Sequence, residues 1–144
     1  MTNPTTAAAS GQPRQRGRSV LAVFLGFVTV VVLSLGTDQI LHVLKVYPPW
    51  GQPMYQPGLN LLALSYRIVY TVLGMYITAK YAPYSPMGHV WVAGTIGLVF
   101  GIVGVIAAIP LNLGPIWYPI AIALTALPCA WLGGFLYLAR HPER

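Results

Sequence analysis

Residues 19–46, SVLAVFLGFVTVVVLSLGTDQILHVLKV, decide the reading of this chain. Val20–Leu35 is a stretch of 16 residues without a charge. Beyond it, Ile40, Leu41, Val43 and Leu44 keep helical spacing, so the same helix continues past Asp38. At 1.5 Å per residue the helix is ~40 Å long, longer than the ~30 Å hydrocarbon core of a bilayer. It must therefore tilt or project beyond the core. Pro48-Pro49 follows, and a residue before proline is pushed out of helical geometry, which puts the stop at Val46–Tyr47.

Working outward, three further apolar runs have the length a crossing helix needs: 59–79, 90–109 and 116–138. The turns between them carry the prolines: YPPWGQPMYQPG at 47–58, KYAPYSP at 80–86 and PLNLGP at 110–115. No alternating strand pattern is present, which excludes a β-barrel. The expected fold is all-α, a four-helix transmembrane bundle with its membrane domain at 19–138. Residues 1–18 read as a disordered cytoplasmic tail and 139–144 as a second, short one. Arg14, Arg16 and Arg18 before Val20–Leu35 also resemble a signal peptide. The length of the run and its helical continuation favour an uncleaved helix.

Composition agrees. The chain of 144 residues is 56% hydrophobic and only 7% charged, whereas soluble domains carry roughly 25% charged residues. The net charge of +6 does not indicate nucleic acid, because the basic residues sit at the ends of apolar runs. Arg14, Arg16, Arg18, Lys80, Arg140 and Arg144 fall on one side, and only Lys45 on the other. The positive-inside rule then places both termini in the cytoplasm. The partners expected are the lipid bilayer and, within it, a second copy of the chain or another membrane protein.

Two polar residues interrupt the apolar interior. Ser34, Asp38, His42 and Lys45 share one face of the first helix. Asn60, Arg67, Thr71, Gly74 and Thr78 share one face of the second. Asp38 and Arg67 each lie eight residues from the outer ends of these expected helices, ~12 Å deep. An intramembrane charge needs a partner, and Asp38 is the only carboxylate at that depth. An Asp38–Arg67 ion pair is expected, with His42 and Tyr66 or Tyr70 beside it. It reads either as a structural clasp or as a polar site for an ion, a small solute or a proton relayed by His42. The aromatic residues of loop 47–58 read as interfacial anchors or as a lid over a cavity.

Gly94, Gly97, Gly101 and Gly104 form one stripe on the third helix, with Gly97 and Gly101 in GxxxG spacing. Such a stripe lets another helix approach closely. Pro128 predicts a bend in the fourth helix. The single cysteine, Cys129, permits no internal disulfide. His42, His89 and His141 fall at different depths and cannot share a metal, and no catalytic acid, nucleophile or ligand set is spaced for chemistry. No cofactor, metal or enzymatic activity is expected. The function classes that remain are a structural or accessory membrane protein and a small transporter, channel or solute-binding unit.

The segments TDQILHVLKVYPPWGQPM (37–54), YRIVY (66–70), YAPYSPMGH (81–89) and WYPIAIALTALPCAWLGG (117–134) resemble small bacterial four-helix integral membrane proteins of no established activity. The resemblance implies a bacterial inner-membrane location and assigns no catalytic residue.

Overall fold

The computed structural model describes residues 12–143. It contains four helices: α1 Gln12–Val43, α2 Pro57–Tyr81, α3 Pro86–Leu111 and α4 Trp117–Arg140. No strand occurs among the described residues. All four helices are long and apolar enough to cross a membrane. Their outer faces carry large apolar side chains, among them Val20 and Leu124 at 70% exposure and Phe100 at 67%. A water-soluble monomer rarely presents apolar surface on this scale, so lipid is the solvent these faces suit.

Each helix is longer than the apolar run within it, because backbone hydrogen bonds continue where apolar sequence stops. Pro57 and Pro86 open α2 and α3, positions where the missing N–H would have no partner anyway. Residues 12–18, read from the sequence as part of the tail, lie within α1. The expected tail at 1–11 lies outside the described residues. Pro13 falls in the first turn, where proline is tolerated.

The end of α1 also differs from expectation, and the reason is local. Lys45 adopts a left-handed conformation, φ 58°. The Val46 amide donates to the Leu41 carbonyl at 2.9 Å, and the Lys45 amide to that of His42 at 3.0 Å. This is the paired bond pattern of a Schellman cap, and it closes the helix at Val43 before the prolines are reached. In α3 the helix passes through Pro110 and stops at Leu111, where Asn112 takes the left-handed position.

In the bundle α2 is central. It packs against α1, α3 and α4, whereas among the described residues the backbones of α1 and α4 do not approach closely. The most extensive contact is α3 with α4, and the slightest is α1 with α3. Contacts between α1 and α2 run in reverse order, Asp38 to Arg67 at one end and Gly26 to Thr78 at the other, so the two helices are antiparallel. Gly94 against Ala130 and Gly101 against Ala123 show the same for α3 and α4. The core, Met75, Ala79, Val90, Ala93, Ala130 and Tyr137, lies toward the end of the bundle that carries Lys80 and Arg140.

Small residues set the closest approaches, and only two glycines of the α3 stripe are among them. A Cβ on Gly94 would meet Ala130, and one on Gly101 would meet Ala123, so these two pack against α4. A Cβ on Gly97 or Gly104 would meet nothing within 4 Å. Both face a cavity between helices, because a step of three or four residues rotates part of the stripe off the α4 contact. The tightest crossings lie elsewhere. A Cβ on Gly26 of α1 would stand 2.7 Å from the Gly74 carbonyl of α2, and one on Gly133 of α4 would stand 2.5 Å from that of Val72.

Candidate functional site

Asp38 and Arg67 meet as the sequence predicts. Arg67 Nη2 lies 2.5 Å from Asp38 Oδ2. Asp38 lies five residues before the end of α1 and Arg67 ten residues into α2. In antiparallel helices the Cα–Cβ bonds, which tilt toward each helix's own N-terminus, lean the two side chains toward each other.

The other carboxylate oxygen, Oδ1, accepts a hydrogen bond from the Tyr66 hydroxyl. That commits the Tyr66 proton, so the Tyr47 hydroxyl, 3.1 Å away, donates to the Tyr66 oxygen. Tyr118 of α4 is close enough to Arg67 to interact with it electrostatically. Tyr70 instead bonds Thr37 Oγ1 at 2.8 Å, one residue from Asp38. Asp38 is buried, and so is Tyr47 in the loop between α1 and α2. Burial is the main cause that pushes the Tyr47 hydroxyl above its ordinary pKa of 10. It therefore remains a neutral donor to Tyr66 throughout the physiological range.

The structure does not bring His42 into this cluster. His42 Nδ1 lies 2.6 Å from the Pro48 carbonyl, and its ring packs on Trp50 with centroids 4.0 Å apart. The Schellman cap turns the chain back over His42, which gives the imidazole a partner in the loop. Its one link toward Asp38 is an edge contact with the Tyr47 ring. His89 is held by the Ser85 carbonyl and His141 by that of Tyr137, so each histidine has a separate local setting.

Two buried polar atoms around the ion pair lack a hydrogen-bond partner: Ser34 Oγ, one turn below Asp38, and Arg67 Nε. Beside the pair, the end of α1 and the 47–58 loop line an open cavity of about 730 Å³, with His42, Lys45, Tyr47, Trp50 and Tyr55 among its walls. The loop is pinned to the α3–α4 turn. The Met54 amide donates to the Leu113 carbonyl at 2.7 Å, and the Tyr55 hydroxyl reaches Asn112. Asn60, buried at the start of α2, donates to the Met54 and Gln56 carbonyls. Trp50 and Tyr55 are exposed, whereas Tyr47 is buried, lines this cavity and bonds Tyr66.

Sequence reasoning missed Tyr47 and Tyr118 as members of this cluster. Tyr47 lies beyond the helix, where periodicity says nothing. Tyr118 sits one residue inside α4, and only its level near the same end of the bundle pointed toward Arg67. No protein-family model matches the chain, and comparison with curated proteins and with solved structures finds no match.

Proposed function

We propose that this is a multi-pass protein of the bacterial inner membrane with both termini cytoplasmic. In this reading it acts without catalysis, as a structural or accessory subunit. Its Asp38–Arg67 pair is a clasp that locks α1 to α2 and holds the outer loop through Tyr66 and Tyr47. The supporting observation is that both Asp38 oxygens are occupied by partners from the neighbouring helix. A carboxylate so satisfied is neutralised and held in one geometry, which suits a register device more than a site that must release and rebind a ligand. Its apolar outer faces would meet lipid, a second copy of the chain or another membrane protein.

A second reading is favoured by one observation, the unpartnered Ser34 Oγ and Arg67 Nε beside the pair. They could hold a small polar solute or ion admitted from the outer cavity past Tyr47, as in a small transporter or solute-binding unit. The double variant Asp38→Leu with Arg67→Leu separates the two. A clasp gives a folded protein that retains any growth or transport phenotype. A solute site gives a folded protein that has lost it. Orientation is tested by a reporter active only in the periplasm, fused after Arg144, which stays silent if the C-terminus is cytoplasmic.

A further inference from the structure

The slightest contact in the bundle is the seam between α1 and α3. At the end of the bundle opposite Asp38 this seam opens into a cleft of about 770 Å³. Its walls are Val20, Phe24 and Phe27 from α1 and Val92, Ile96 and Phe100 from α3. Its mouth is polar, formed by Ser19, Tyr84, Ser85 and His89. Tyr84 and Ser85 also line an adjoining cavity of about 390 Å³, which contains Arg18 and Lys80. Among the described residues no carboxylate lines either space.

The order along the cleft is therefore two cations, then hydroxyls, then hydrocarbon. From Gly88 at the mouth to Phe100 the α3 wall runs twelve residues, ~18 Å, close to the ~15 Å depth of one leaflet's hydrocarbon. We infer that the α1–α3 cleft binds one anionic phospholipid, its phosphate at Arg18 and Lys80 and an acyl chain between α1 and α3. The charge of the mouth selects a phosphate-bearing lipid without a compensating cation. The depth of the apolar walls requires a chain, which a free phosphate lacks. This site is remote from Asp38 and Arg67, and its test does not depend on the clasp.

The test uses the full-length protein in detergent and native mass spectrometry. Phosphatidylglycerol and phosphatidylcholine with identical acyl chains are the probes. A basic pair near the lipid phosphate should favour phosphatidylglycerol by roughly tenfold. Arg18→Gln combined with Lys80→Gln should remove that preference, and Arg140→Gln, at the same end but on α4, should keep it. Val92→Trp fills the cleft and should lower retention of both lipids with the elution profile unchanged. Inorganic phosphate should not displace the bound lipid. The inference is overturned by equal retention of the two lipids, by a preference that survives the double variant, by retention indifferent to Val92→Trp, or by displacement with inorganic phosphate.

Discussion

The two ends of the α1–α2 interface are held together by different physics. At the Asp38 end, Asp38, Tyr66, Arg67 and Tyr47 form a polar node joined by hydrogen bonds between specific atoms. At the other end, Gly26 and Gly74 bring backbone against backbone, with Thr78 bonded back to the Gly74 carbonyl at 3.2 Å. The polar end fixes register, because a slip of one residue would leave a charge unpaired. The glycine end fixes distance, because the helices touch only while both positions lack a side chain. In lipid the hydrophobic effect gives little drive to helix pairing, so directional bonds and close packing share the task.

The sharpest way to break the Asp38 end is Asp38→Asn. It leaves the Arg67 guanidinium charged and without a carboxylate, at an expected loss of about 3–5 kcal/mol. Adding Arg67→Leu to Asp38→Leu should recover much of that loss, because no charge is then stranded. Thermal stability of the singles and the double in detergent measures the coupling. Additive losses would show that the two residues do not act as a pair.

Gly74→Leu attacks the other end. Its Cβ would stand 2.5 Å from Val30 Cγ2 and 2.7 Å from the Gly26 carbonyl, so α1 must move away. We expect a loss of about 3 kcal/mol, at the upper end for overpacking. A melting temperature equal to that of the unmodified protein would mean that the helices do not cross here. Tyr66→Phe is milder. It removes one donor from a carboxylate that keeps Arg67, and a hydrogen bond to a charged group contributes about 1.5–3 kcal/mol. Near-native stability for Tyr66→Phe would indicate that Arg67 alone satisfies Asp38.

The smallest effect separates true glycine contacts from an apparent stripe. Gly97→Leu extends into open space and should change stability by less than about 0.5 kcal/mol. Gly101→Leu on the same helix would press on the Ala123 backbone at 3.0 Å and should be clearly worse. Equal melting temperatures for the two would mean that α3 and α4 are packed differently along this face.

Four apolar runs near 20 residues determined four helices, because a chain in lipid must satisfy its backbone hydrogen bonds within each segment. The scarcity of charges in those runs likewise made the Asp38–Arg67 pair legible, since a lone acid and a lone base in adjacent spans have few alternatives. The spacing of Gly94 and Gly101 identified two real contacts. Spacing could not say that Gly97 and Gly104 turn away from α4, or that Gly26, Gly74 and Gly133 make closer approaches. Those outcomes depend on the rotation of each helix about its axis, which is set by all its neighbours together. The placement of His42 against Pro48 and of Tyr47 over Tyr66 was likewise decided in three dimensions. Both follow from the left-handed turn at Lys45, a lysine in a position usually held by glycine, whose conformation no local pattern announces.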